Sequence, residues 1–197
     1  MHRTYLAALL MLVGILCKSE TLTYSVIHDG KPVGKINIDR TKVNDVTQYK
    51  FESNVVVNML LTVKVYDKMD VTFKGNQLTN AYLYRTLNGR VRVKNNATWN
   101  GSQYIMTDKD DDKSIIKHPI YHTTASLYYI EPTNIPYVYS EKFQKMIAVK
   151  SVGNKRYVLN LPNGNKAYYT YANGVCSLVE AETDWATLKF VLNKHQL

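Results

Sequence analysis

The stretch Leu61-Thr62-Val63-Lys64-Val65-Tyr66-Asp67-Lys68-Met69-Asp70-Val71-Thr72-Phe73 decides the fold. Leu61, Val63, Val65, Met69, Val71 and Phe73 share one parity, broken by Asp67, while Thr62, Lys64, Tyr66, Lys68, Asp70 and Thr72 occupy the other. Successive side chains of a β-strand point to opposite faces, so alternation of period two means one buried and one solvated face. At ~3.3 Å per residue such a strand would run roughly 40 Å. A strand of that length belongs to a strongly curled sheet rather than to a small flat one.

The same alternation recurs on both sides. Leu22, Tyr24 and Val26 alternate with Thr23 and Ser25, and Gly34, Ile36 and Ile38 follow the tight-turn dipeptide Asp29-Gly30. Tyr49, Phe51, Val55 and Val57 form another face, as do Tyr157, Leu159 and Leu161, then Ala167, Tyr169 and Tyr171, then Leu188, Phe190 and Leu192. Turn signals separate them at Gly75-Asn76, Asn88-Gly89, Asn100-Gly101, Gly153-Asn154, Asn163-Gly164 and Asn173-Gly174. The pattern predicts an all-β antiparallel meander of about ten to twelve strands. A sheet of that size curls, giving a barrel or open barrel of lipocalin-like form. One segment, 117–145, loses the rhythm and carries Pro119, Pro132 and Pro136. It predicts an irregular insertion, with His122 to Tyr129 either strand or helix and a short helix over Tyr139 to Met146 opened by Ser140.

The chain has 197 residues, 45% of them apolar, enough for a sizeable core in one domain. Met1-His2-Arg3-Thr4, the uncharged run from Tyr5 to Cys17, and the polar exit Lys18-Ser19-Glu20 follow the order of a secretory signal peptide. The run is too short to span a bilayer as a helix. Small residues at Cys17 and Ser19 predict cleavage before Glu20, a signal over 1–19, and a mature domain over 20–197. The expected location is outside the cytoplasm, in the periplasm, with a lipid anchor on Cys17 as the alternative. That cleavage leaves Cys176 alone, unable to form an internal disulfide and read as a small buried hydrophobe. The formal charge of the whole chain is +9, and removing Arg3 and Lys18 from the 25 basic residues leaves 23 against 16 acidic ones, a balance of +7. Lys and Arg are scattered rather than clustered, so nucleic acid is not an expected partner.

The candidates for chemistry are few. His118 and His122 are four residues apart, but Pro119 opposes the helix that would bring them to one metal ion. Asp108-Lys109-Asp110-Asp111-Asp112 lacks the glycine and glutamate of a calcium loop and reads as a charged hairpin tip. Glu131 and Glu141 are candidate acid–base carboxylates, and Ser126 with His122 lacks a nucleophile elbow. Asn96-Ala97-Thr98 and Asn100-Gly101-Ser102 are glycosylation sequons read here as turn chemistry. No cofactor or metal is expected, and the chain is read as non-catalytic. Tyrosine is enriched to 16 residues, crowding the second half at Tyr128, Tyr129, Tyr137, Tyr139, Tyr168, Tyr169 and Tyr171. Its apolar body and polar tip suit a cavity mouth, a glycan platform or an interface, as well as an ordinary half-buried strand.

Several short motifs carry a family resemblance. They are Tyr24-Ser25-Val26 with Gly30-Lys31-Pro32-Val33-Gly34, Leu127-Tyr128-Tyr129-Ile130-Glu131-Pro132, Tyr139-Ser140-Glu141, Asn160-Leu161-Pro162-Asn163-Gly164, Tyr169-Thr170-Tyr171 and Asn173-Gly174. In this order they resemble an exported β-rich family of unknown function from Gram-negative bacteria. They are more distantly similar to periplasmic lipocalin-like or open-barrel domains, also of unknown function. The resemblance implies the fold and the envelope location and transfers no catalytic residue. The functional expectation is a carrier or binding module for an apolar or lipid-like ligand. Its candidate contacts are Val63, Val65, Val71, Tyr128, Tyr129, Glu131, Tyr169 and Tyr171. The alternatives are a solid-cored scaffold meeting an envelope protein or glycan, and an enzyme acting on envelope glycans.

Overall fold

The computed structural model describes residues 17–58 and 61–193. Most of the expected signal segment, residues 1–16, lies outside the described residues. Fourteen strands are present among the described residues. The first eight are β1 (Cys17–His28), β2 (Lys31–Val43), β3 (Val46–Asn58), β4 (Thr62–Lys74), β5 (Gln77–Leu87), β6 (Arg90–Trp99), β7 (Tyr104–Thr107) and β8 (Lys113–Ile116). After a 3-10 turn at Ser126–Tyr128 come β9 (Tyr137–Ser140), β10 (Lys145–Ser151), β11 (Arg156–Asn160), β12 (Lys166–Ala172), β13 (Val175–Glu182) and β14 (Thr187–Leu192).

All fourteen strands lie in one sheet, in the order β8-β7-β6-β5-β4-β3-β2-β1-β14-β13-β12-β11-β10-β9. Strands successive in the chain pair as antiparallel hairpins except β8 and β9, and β1 pairs antiparallel with β14 through Tyr24↔Leu192, Ser25↔Val191, Val26↔Phe190 and Ile27↔Lys189. The sheet curls without closing, leaving β8 and β9 as its edges. Left-handed backbone makes the tight turns: Asp29 and Gly30 have φ of 47° and 74°, and Asn88 and Gly89 of 49° and 76°. These conformations match the twist of the flanking strands.

The apolar parity faces inward as expected. Val71, Leu78, Ile38 and Val26 have no exposed surface, while Lys35, Lys50, Lys64 and Lys68 point out to solvent. That is the reverse of a lipid-facing barrel, whose apolar band lies outside. Among the described residues no helix is long and apolar enough to cross a membrane.

The link from β8 to β9 runs through the interior. Ile120, Ala125, Leu127, Tyr128 and Tyr129 are buried there. Ile120 O accepts the Leu78 N–H at 2.8 Å, and Thr123 forms a parallel bridge with Tyr139 of β9. Tyrosine hydroxyls peg this plug to the wall: Tyr171 donates to Leu127 O at 2.7 Å, and the Tyr129 hydroxyl lies 2.6 Å from Ile38 O and 2.9 Å from Glu20 O. Two side-chain amides span the gap between the sheet edges. The Asn95 amide donates to Glu141 O and Lys142 O, both at 2.8 Å, and the Gln144 amide to Asn96 O at 3.0 Å and Thr107 O at 2.9 Å.

Three expectations change in detail. The strand count exceeds ten to twelve because β7, β8 and β9 are four residues each, too short to show alternation. Between His122 and Tyr129 the chain forms neither a strand nor an α-helix, only the single bridge at Thr123 and the 3-10 turn. Tyr139 to Met146 is a hairpin, not a helix. Ser140 does open one turn, accepting from Gln144 N–H at 2.8 Å, but Gln144 then takes φ 51° and the chain returns as β10. Four residue pairs with β9 hold it there.

Gly34 sits at the crossing of β2 and β3, opposite Val55. A Cβ there would lie 2.2 Å from Asn54 O and 2.8 Å from Val55 Cα, so backbone must move. Gly34→Ala is expected to cost ~1–3 kcal/mol of stability as an overpacking change. Urea unfolding checks it, and an unchanged midpoint would show that the two strands can separate freely.

Candidate functional site

The end of the barrel bearing the β3–β4, β5–β6, β11–β12 and β13–β14 turns encloses a cavity of about 530 Å³. Its walls are inward positions of the five long strands β2 to β6 and of β11 to β14. Ile36, Phe51, Val55, Val65, Met69 and Leu83 line one side. Leu159, Leu161, Ala167, Leu188, Phe190 and Trp185 line the other. The plug supplies the floor through Thr124 and Tyr128. The Tyr128 ring packs against Tyr24 at 5.4 Å, Phe51 at 6.0 Å and Tyr169 at 6.1 Å between centroids. Such edge and tilted contacts stiffen an aromatic floor.

Charged groups are set into this apolar surface. Asp67 interrupts the apolar parity of β4 because it pairs with Arg85 of β5, its direct neighbour in register. Arg85 Nε and Nη2 donate to Asp67 Oδ1 and Oδ2 at 2.5 and 2.9 Å. The Asp67 side chain is 9% exposed and that of Arg85 31%. Glu141, in the β9–β10 turn, is buried and accepts from Thr124 Oγ1 and from Ala125 N–H at 3.2 Å. Burial pushes its carboxyl above the ordinary 4.5, and those hydrogen bonds oppose the rise. Lys142 and Arg92 lie at the mouth.

The eight residues proposed from sequence separate. Val65, Tyr128 and Tyr169 line the cavity. Val63 is half-buried nearer the β3–β4 turn, and Val71 is fully buried further along β4, away from the cavity. Tyr129 and Tyr171 hold the plug, as described above. Glu131 accepts from Tyr157 at 2.9 Å, on the side of a separate outer hollow lined by Pro132, Ile135, Pro136, Val149 and Tyr157. Sequence reading missed Phe51, Arg85, Lys142 and Trp185 as lining residues, and gave Glu141 a different role. The break in alternation at Asp67 was the available signal for a buried charge and its partner.

His118 is exposed and His122 half-buried without a ring partner for Nδ1. Asp108 to Asp112 form the β7–β8 turn, where Asp108 Oδ1 accepts from Asp110 and Asp112 N–H at 2.9 and 3.1 Å. Among the described residues no group of three metal-ligating side chains gathers. Cys176 is buried, which pushes its thiol up to about 12 and leaves it unreactive.

Residues 24–193 match a family model described as "Domain of unknown function (DUF6134)". The chain belongs to the DUF6134 family. Comparison with curated proteins gives no match. Among solved structures, this DUF6134 chain is similar to a β-barrel-like protein of the DUF1849 domain of unknown function from Brucella abortus. The TM-score is 0.57 at 7% identity, covering 92% of this chain and 98% of that one. A likeness at that identity is one of fold alone. The expectation of a β-rich family of unknown function with a barrel-like fold therefore holds.

Two measurements test the electrostatics. Asp67→Ala leaves Arg85 unpaired against an apolar wall and is expected to cost about 3 kcal/mol, whereas Asp67→Leu with Arg85→Met recovers most of it. Denaturant midpoints decide, and a single-variant loss below ~1 kcal/mol would mean that solvent screens the pair. For Glu141 the folded pKa is raised, so its contribution is complete below 4.5 and is lost as pH rises through the folded value. Glu141→Gln has no proton to lose. Its stability relative to the parent is expected to improve from pH 4.5 to 7.5 in thermal melts, and a constant difference would contradict that.

Proposed function

We propose that this protein is a non-catalytic carrier or binding module that takes an apolar or lipid-like ligand into the open end of its barrel after export to the periplasm. The observation that carries the reading is the cavity. Its volume of about 530 Å³ falls within the ~300–1,000 Å³ typical of sites for one small molecule. Its wall is mostly aliphatic and aromatic, with a few charged groups set among them, which is the composition of a ligand site rather than of a packing defect. Export is supported by the order of residues 1–19 alone. The final three of these, Cys17 to Ser19, pair with Val43 to Thr41 at the start of β1.

A second reading has its own support. Tyr137 and Val152 are 56% and 52% exposed beside the outer hollow at Pro132–Pro136, a patch suited to an envelope protein or glycan. Other tyrosines that would have served such a surface, Tyr128, Tyr129, Tyr139, Tyr169 and Tyr171, are inside. The carrier reading therefore has the broader basis.

Native mass spectrometry of the protein purified from its own cells without detergent tests the carrier. An added mass that is released on denaturation is the expected result, on a chain whose mass corresponds to residues 20–197. Val65→Trp, or Leu161→Trp where the first variant melts early, is expected to lose the added mass while keeping the parent's melting profile. A bare parent mass, or an added mass unaffected by both variants, would overturn the carrier and turn attention to the outer hollow.

A further inference from the structure

Resting on that use of the cavity, we infer that its ligand is an acidic amphiphile with one acyl chain, whose carboxylate or phosphate is held at the mouth by Arg92, Lys142 and the outer edge of Arg85. The charges around the cavity are unevenly satisfied. Each lining carboxylate already has donors: Asp67 takes Arg85, Glu141 takes Thr124 and Ala125, Glu182 takes Lys166 N–H at 2.8 Å, and Asp184 takes the Asn165 amide at 2.9 Å. Arg92 and Lys142 form no ion pair among the described residues, and Asp184 and Asp67 act on Lys142 only from a distance. Lys142 Nζ instead rests 4.9 Å from the centre of the Phe143 ring.

These cations are also brought together by the fold. Arg85 pairs in register with Val93, the residue after Arg92. Two residues further on, Asn95 binds the backbone carbonyl of Lys142. Desolvation against the wall, and then the neighbouring Arg85 guanidinium, hold the Lys142 ammonium below its ordinary value, although its residue opens to solvent. Arg85 and Lys142 repel one another across the mouth, and the carboxylates of Asp184 and Asp67, which draw the Lys142 charge the other way, offset this only in part. An anion placed between Arg92 and Lys142 relieves that repulsion, and the guanidinium N–H groups of Arg85 not engaged by Asp67 remain for it. Behind them lies an apolar chamber sized for one small molecule rather than for the two chains of a diacyl lipid. A chain inside and an anion outside match the two halves of this surface.

The test is titration calorimetry at pH 7.5 with dodecanoate, dodecyl phosphate and dodecanol, on the parent and on the double variant Arg92→Gln/Lys142→Gln. The parent is expected to bind at least one of the two anions about tenfold or more tighter than the alcohol, as charge-assisted hydrogen bonds allow. The anion preferred identifies the head as carboxylate or phosphate. The double variant is expected to lose that preference while its dodecanol affinity stays within about threefold. Equal affinity of the parent for all three ligands, or a preference that survives in the double variant, overturns the headgroup assignment and leaves the apolar cavity standing. Absence of binding for all three overturns both.

Discussion

Four residue pairs between β1 and β14 make this molecule one sheet. Without them the chain would be two meanders, β1 to β8 and β9 to β14, each with an exposed edge and a bare apolar face. Joining the first strand to the last places β8 and β9 at opposite ends of a fourteen-strand sheet. So many twisted strands must curl, and curling brings those two ends toward each other. Every other hairpin is local in sequence, but this pairing must wait until both meanders exist. Non-local pairing of this kind is the slow step in folding β proteins.

The same constraint explains why the link between β8 and β9 lies inside. It must travel from one edge of the curled sheet to the other, and the short route crosses the interior. Buried backbone needs hydrogen-bond partners, and a plug that is not a strand cannot find them in a ladder. Tyrosine solves this by filling space with its ring and offering one hydroxyl at depth. Tyr129 and Tyr171 bind carbonyls of β2 and the plug, while the Tyr104 hydroxyl donates to Leu78 O at 2.7 Å and accepts from Ile120 N–H at 3.2 Å. At the remaining gap, Asn95 and Gln144 give both amide hydrogens to backbone carbonyls across it. The tyrosine enrichment is thus largely a solution to closing an open barrel around its own connection.

Because the plug fills one end, the other end is left hollow. The long strands β2 to β6 extend past the plug, and there their inward side chains face the β11 to β14 wall across open space rather than packed chain. A buried ion pair in such a wall is expensive when fully dry, since both ions lose water. Here Arg85 remains partly solvated at the cavity surface, which lowers that cost while Asp67 holds its fork in one orientation. The arrangement gives an apolar chamber with oriented polar groups near its opening. The DUF1849 protein is similar in fold at 7% identity, so the likeness does not extend to the residues that line this chamber.

Much of the architecture was legible in the residues. Alternation over Leu61 to Phe73 placed β4, the Asp-Gly and Asn-Gly pairs placed the turns, and loss of rhythm after Lys117 placed the plug. Strand periodicity is a local property, because each residue's face follows from its neighbours along the chain. What the chain alone could not supply was which faces meet. Val65 and Val71 have the same parity and the same side chain, yet one lines the chamber and the other is packed solid, because the plug reaches only part of the way along β4. Tyr128 and Tyr129 are adjacent, yet one floors the cavity and the other pins the plug to β2. Glu141 and Lys142 are brought to the chamber by the Asn95 amide of β6, distant in sequence. Those placements depend on how a fourteen-strand sheet curls and where its connection crosses, and contacts between residues far apart in the chain are set by packing rather than by local pattern.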